Sequence, residues 1–175
     1  VNLDNRSNRL KMQLLTVKND YDYIIIDCPP SLSLLTINAL CASDSVLIPL
    51  QCEYYSLEGL SQLVESIRRV KKNYNPNIDI DGIVFTMFDA RLNLTNQVVS
   101  EVQKHFPKKV YRTVIPRNVK LSEAPSFGKP VIYYDKTSRG AEAYEKLSEE
   151  MLTRHGVADV KPKPVKKRLL GSVKL

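Results

Sequence analysis

The segment YDYIIIDCPP, residues 21–30, is the part of the sequence that decides the predicted fold. Its β-branched run ends in a carboxylate, Asp27, and the two prolines that follow cannot donate the N–H that a central strand needs. A buried strand is therefore predicted over residues 21–27. Further apolar runs predict strands over residues 46–48, 81–88 and 110–113. Pro49 is expected to close the first of these.

Helices are predicted where apolar residues recur at a spacing of three or four. Such stretches cover residues 5–18, 56–74, 94–106 and 138–153, and Ser56 is expected to cap the second. Apolar strands that alternate with amphipathic helices are typical of an α/β fold with a mostly parallel, doubly wound sheet. In such a sheet, ligands bind beyond the carboxyl ends of the strands.

Composition excludes several classes of protein. The chain has 175 residues, 43% of them hydrophobic and 26% charged, which fits one soluble globular domain. No apolar run is long enough to span a bilayer, and the first residues do not resemble a signal peptide. The three cysteines show no C-x-x-C spacing, which indicates reduced thiols rather than a metal site.

The net charge of +7 is concentrated at one end of the chain. Residues 156–175 contribute +5 of it, so residues 1–155 are nearly balanced. We therefore divide the chain into a folded body, residues 1–155, and a basic Lys/Pro-rich tail, residues 156–175, that is expected to be disordered. A short amphipathic helix that binds anionic lipid or DNA is the alternative for the tail.

Asp27 is the first candidate for a functional residue. An apolar strand that ends in Asp is how P-loop NTPases hold Mg²⁺ beside the phosphates, although any buried parallel strand can end this way. The following CPPSLSLLT brings Ser31 and Ser33 to the predicted start of the next helix. Backbone N–H groups at a helix start suit phosphate, which strengthens the interpretation.

Residues 21–152 resemble the ParA/Soj family of DNA-partitioning ATPases. Four blocks carry the resemblance: YDYIIIDCPPSLSLLTINAL, IPLQCEYYSLEGLSQL, TMFDARLNLTNQVVSEVQKHF and VIPRNVKLSEAPSFGKPVIYYDKTSRGAEAYEKLSEEML. The family's phosphate loop, G-x-x-x-x-G-K-[ST], does not occur here, since Gly128-Lys129 is followed by Pro130. We therefore expect the chain to be the C-terminal portion of such a domain, without its N-terminal strand and phosphate loop, and to be inactive alone.

The resemblance also implies roles for individual residues. Asp27 is the implied catalytic residue and Mg²⁺ ligand, directly or through water. The residues implied to surround the adenine ring of ATP are Met87, Pro116, Arg117 and Asn118. Arg91 and Lys120 match basic positions that contact DNA, with solvated surface charges as the alternative. Asn118 could instead only close a turn, and Ser122 and Glu123 are expected to cap a short helix.

The function implied is ATP-dependent partitioning of a chromosome or plasmid. ATP and Mg²⁺ would lie between two subunits of a homodimer that binds nonspecific double-stranded DNA, and a ParB/Spo0J-like protein would trigger hydrolysis. Such a protein would be cytoplasmic and nucleoid-associated, and a membrane is not an expected partner. The alternatives are a MinD-like membrane ATPase, against which Arg117 argues because MinD relatives carry an acidic residue there, and a non-catalytic DNA-binding module.

Overall fold

The computed structural model describes residues 3–29 and 33–157. These residues form two strands and seven α-helices, with short 3₁₀ turns at Leu3–Asn8, Lys18–Asp20 and Ala124–Phe127. The elements are α1 Arg9–Leu14, α2 Leu34–Ala42, β1 Ser45–Gln51, α3 Tyr54–Asn73, β2 Asp79–Thr86, α4 Asn93–His105, α5 Val119–Glu123, α6 Val131–Tyr134 and α7 Arg139–Arg154.

The sheet is parallel throughout its described part. β1 pairs with β2 from Ser45 opposite Asp79 to Gln51 opposite Thr86. On the other side of β2, residues 109–116 run parallel to it. There Tyr111 N–H donates to the Ile83 carbonyl over 2.9 Å, and Ile115 N–H donates to the Phe85 carbonyl over 2.8 Å. The predicted α/β class with parallel strands and flanking helices is confirmed.

Side chains of β2 alternate between two hydrophobic cores. Ile83 and Phe85 belong to the core that contains the buried faces of α3 and α4. Val84 points the other way and packs with residues of the 109–116 segment and α7. Because helices cover both faces, β2 is the buried centre of the described sheet, and its apolar run IVF reflects that position.

The strand predicted over residues 21–27 is wrong for this structure. These residues form no strand, and Ile25 is 85% exposed. A β-branched run is held extended in a sheet by a neighbouring strand that accepts and donates its ladder hydrogen bonds. In the described part of the chain β1 pairs only with β2, so no strand performs this role for residues 21–27.

Several predicted boundaries also change. Pro49 lies inside β1 opposite Val84, a place that proline tolerates when its missing N–H faces away from the ladder. Helix α3 begins at Tyr54 after Glu53, so Ser56 is not its cap. Residues 110–113 pair with β2 only through an isolated bridge. Pro30, Ser31 and the tail from residue 158 lie outside the described residues.

Candidate functional site

Two loops lie side by side at the carboxyl end of the sheet. Phe88 N–H donates to the Ile115 carbonyl over 3.1 Å, and Arg117 N–H donates to the Phe88 carbonyl over 3.4 Å. This pairing brings residues 87–89, which follow β2, against residues 116–118. The four residues predicted to surround adenine are therefore brought together, at the sheet edge where parallel α/β folds bind ligands.

Met87 has an unusual backbone conformation at this edge. Its φ of 51° lies in the left-handed region, and no other non-glycine residue in the described parts of the chain has a positive φ. This conformation is costly for a residue with a Cβ and is concentrated at functional sites. The side chain is 46% exposed, so it is available for contact with a ligand.

Asn118 uses only part of its hydrogen-bonding capacity within the fold. Its Oδ1 accepts the Lys120 N–H over 3.0 Å and thereby caps α5. In the described residues nothing accepts from its Nδ2, which remains able to donate to a base edge. A Cβ at Gly140 would lie 3.1 Å from Asn118 Oδ1 and 2.7 Å from Leu121 Cγ, so this glycine lets α7 approach the loop closely.

Arg91 is held by a carboxylate of its own loop. Its Nε and Nη2 donate to Asp89 Oδ1 and Oδ2 over 2.9 and 2.6 Å. The side-chain hydrogen bonds from Arg91, followed by its backbone N–H, lower the pKa of Asp89 to about 2. Arg91 itself points outward and is 88% exposed, whereas Asp89 is 25% exposed.

Lys120 is also paired. Its Nζ donates to Glu123 Oε2 over 2.9 Å, and the Tyr134 hydroxyl donates to the same oxygen over 2.9 Å. The Lys120 ammonium lowers the pKa of Glu123, with Tyr134 acting in the same direction. The predicted capping role of Glu123 is therefore wrong: it precedes the Ala124–Phe127 turn but makes no side-chain cap there, because its carboxylate is engaged by Lys120.

Asp27 lies in the segment between the Lys18–Asp20 turn and α2. It is exposed, and the described residues provide it with neither a hydrogen bond nor an ion pair. Within the same residues no group of three His, Cys, Asp or Glu side chains could hold a metal ion. At the neighbouring Cys28, burial raises the pKa of the thiol, and the negative charge of Asp27 adds to the effect.

A second polar cluster lies at the opposite end of the sheet, where β2 begins. His155 Nε2 is 2.6 Å from Asp81 Oδ1, and the buried Tyr111 hydroxyl donates to the other oxygen of Asp81. The Tyr23 hydroxyl is 3.1 Å from His155 Nδ1. These contacts fix the end of α7 to β2 and to residues 21–29. No pattern near His155 in the sequence indicates a partner 74 residues away.

Glu150 completes the attachment of α7. Its carboxylate accepts the N–H groups of Arg112 and Thr113, each over 2.8 Å, and pairs with Arg154 over 2.8 Å. Burial raises the pKa of Glu150, but these donors outweigh it, and the net pKa lies below the usual 4.5. The arrangement is structural, because the donors use both carboxylate oxygens.

The described part of the chain contains no helix long and apolar enough to cross a membrane.

Comparisons with solved structures support the architecture. Cobyrinic acid a,c-diamide synthase from Mycobacterium smegmatis, solved with an ATP analog and magnesium, is 32% identical with a TM-score of 0.72; the match covers 87% of this chain and 56% of that one. The cell division ATPase MinD from Pyrococcus furiosus, 23% identical over 84% of this chain and 58% of its own, has a TM-score of 0.68 and shows a shared fold.

Sequence comparisons identify the family. A family model described as an AAA domain matches residues 1–80. The sporulation initiation inhibitor protein Soj of Bacillus subtilis is 64% identical over 83% of this chain and 58% of its own length. The chromosome partitioning protein ParA of Myxococcus xanthus is 58% identical over 88% and 54%. The chain thus spans somewhat more than half the length of these curated relatives. At this level of identity, the chain belongs to the Soj/ParA family of chromosome-partitioning ATPases.

Proposed function

We propose that the whole protein is an ATP-dependent DNA-partitioning ATPase. It binds ATP and Mg²⁺ between two copies of itself, and the dimer binds nonspecific double-stranded DNA in the cytoplasm, at the nucleoid. A ParB/Spo0J-like DNA-bound partner stimulates hydrolysis. The observation that carries the proposal is the pairing of residues 87–89 with 116–118 at the carboxyl edge of the sheet.

The residues at this edge fit the adenine end of ATP. The Nδ2 group of Asn118 would donate to an acceptor on the base, and Met87 and Pro116 would pack against its faces. Because the Asn118 cap and the close approach of Gly140 fix this loop, the amide is oriented before the ligand arrives. These residues bind and position the nucleotide, and they take no part in the transfer of the phosphoryl group.

The Asp27 carboxylate fits Mg²⁺, a hard cation that one or two carboxylates and the phosphates hold in many ATPases. When bound, the metal would neutralise charge on the phosphates. The carboxylate is exposed and makes no hydrogen bond or ion pair with the described residues, so no internal partner would have to be displaced.

DNA binding is proposed for Arg91 and Lys120. Contact with phosphates needs cations on an accessible surface and no reading of bases. Arg91 is largely exposed and Lys120 partly so. Arg91 lies in the loop after β2, and Lys120 lies in the first turn of α5, directly after the 116–118 loop. We expect Arg91→Ala or Lys120→Ala to weaken binding to any DNA sequence. Each loses one contact per copy, so the log–log salt dependence should flatten by about 2 in a dimer.

The ATPase part of the proposal is tested with Asp27→Ala in the whole protein. Loss of a metal ligand should lower Mg²⁺-dependent ATP turnover by about a hundredfold or more. Asp22→Ala removes an exposed carboxylate from the same segment and is the matched control. Equal turnover in the two variants would exclude Asp27 as the metal ligand.

The DNA part is tested by salt titration of duplex binding with ATP and with ADP. The two point variants are compared with a deletion of residues 161–175. If the point variants bind like the wild type and the deletion abolishes binding, the basic tail is the DNA-binding element and the proposed surface is wrong.

A further inference from the structure

Each of the two proposed DNA-binding cations is already paired with a carboxylate two or three residues away. Asp89 holds Arg91 through two parallel hydrogen bonds, and Glu123 holds Lys120 through one. Resting on the proposed function, we propose that Asp89 and Glu123 compete with DNA phosphate for these side chains and thereby set the affinity for DNA.

The Arg91 pair occupies the donors that a phosphate would use. A guanidinium binds carboxylate and phosphate with the same two-pronged geometry, so one ligand must leave before the other binds. Asp89 is fixed where it lies, because its Oδ1 also accepts the Arg91 backbone N–H over 3.1 Å. Asp89 therefore keeps its position while the exposed Arg91 side chain exchanges the carboxylate for a phosphate.

The Lys120 pair is supported by aromatic side chains. Tyr134 donates to the same Glu123 oxygen that Lys120 contacts, and its ring lies 5.6 Å from the Lys120 ammonium. Phe127 stacks on Tyr134 with ring centroids 5.0 Å apart. Because Tyr134 keeps Glu123 in position, the carboxylate remains beside Lys120 and opposes the approach of a phosphate.

The low net charge of residues 1–155 makes these two ion pairs important for DNA binding. Residues 1–155 carry little net charge, so attraction of DNA depends on local cations. When Arg91 and Lys120 turn to phosphate, Asp89 and Glu123 lose the cationic side chains that pair with them and lie next to a polyanion. The exchange therefore weakens each contact, and one copy alone offers only two weakened contacts, whereas a dimer offers four.

The experiment measures binding of the whole protein, with ATP, to a fluorescent duplex of arbitrary sequence over a range of salt concentrations. Asp89→Asn and Glu123→Gln should each tighten binding by about two- to fivefold, the range expected for release of an exposed ion pair. The log–log salt dependence should steepen by up to about one per copy. Tyr134→Phe should act in the same direction with a smaller effect.

Glu65→Gln is the matched control. Glu65 is an exposed carboxylate on α3 that pairs with Arg69 over 3.2 Å, so the variant makes the same change in charge and also frees an arginine. If it tightens binding as much as Glu123→Gln does, the effect is one of bulk charge and the proposal is wrong.

A double-variant comparison isolates the pair. In a Lys120→Ala background, Glu123→Gln should tighten binding no more than Glu65→Gln does, because the competing cation is gone. An undiminished gain there would overturn the proposal. The proposed function fails separately: if Arg91→Ala and Lys120→Ala bind like the wild type, the DNA surface is misassigned. If they lose binding while Asp89→Asn and Glu123→Gln match the control, only the competition is refuted.

Discussion

Met87 allows backbone strain and ligand binding to be separated at one position. A left-handed residue with a Cβ costs about 1–2 kcal/mol, and glycine does not bear this cost. Glycine also gains freedom in the unfolded chain, which costs about 0.5–1 kcal/mol. Both Met87→Gly and Met87→Ala lose the packing of the half-buried side chain, so the two variants are compared with each other. Since Met87 has a φ of 51°, Met87→Gly should be more stable than Met87→Ala, by up to about 1.5 kcal/mol. Met87→Ala keeps the strain and should be the less stable of the two variants.

The affinity for ATP should depend on the side chain at position 87 and not on the backbone conformation there. Full burial of a Met side chain is worth about 1.5–3 kcal/mol. The 46% that is now exposed is what adenine could still cover, so roughly 1 kcal/mol is at stake, or about fivefold in affinity. Both Met87→Gly and Met87→Ala should lose this factor, whereas Met87→Leu should retain most of it.

The two quantities are measured on the whole protein by urea unfolding without nucleotide and by calorimetric titration with ATP and Mg²⁺. If Met87→Gly is less stable than Met87→Ala, the strain argument is refuted. If both variants bind ATP like the wild type, the thioether does not contact adenine, and the assignment of this edge to the nucleotide loses one of its supports.

Three further predictions concern the fold and the chain itself. Gly82→Ala should destabilise the protein by about 1–3 kcal/mol in urea unfolding, because the new Cβ would overlap the buried Tyr111 ring. Gly59→Ala should stabilise the protein by about 0.5–1 kcal/mol, because the new Cβ on α3 would meet nothing within 4 Å. Glu150 has a lowered pKa, so its stabilisation is present above pH 4.5 and is lost as the pH falls through the lower folded-state pKa; Glu150→Gln should reduce this acid-dependent loss in unfolding curves recorded from pH 6 downward. The 175-residue chain alone should hydrolyse ATP no faster than buffer, because it contains no G-x-x-x-x-G-K-[ST] segment; Mg²⁺-dependent turnover by the purified chain would contradict this.

The spacing of apolar residues predicted the long helices correctly. It failed for residues 21–27, because a strand there would need a neighbouring strand to pair with. Helices α3, α4 and α7 lie within two residues of their predicted bounds, because each carries its own apolar stripe. The run over residues 21–27 has an equally clear strand pattern, yet a strand also needs a partner that the pattern does not contain. The short helix α5 has no apolar periodicity to predict it, because it depends on the Asn118 cap.

The same distinction separates the Asp81–His155 pair from the carboxylates at the carboxyl edge of the sheet. Asp81 and His155 are 74 residues apart, so only the packing of α7 against β2 could reveal them. Asp89 lies two residues before Arg91 in FDAR, and Glu123 lies three residues after Lys120 in KLSE. Both spacings are visible in the sequence. The net charge of residues 1–155 does not reveal these ion pairs. A near-neutral total is the same whether the charges are scattered or each cation is paired with a neighbouring carboxylate. If DNA binding requires these pairs to open, the affinity depends on how firmly each carboxylate is anchored, and Tyr134 is then as much a part of the DNA surface as Lys120.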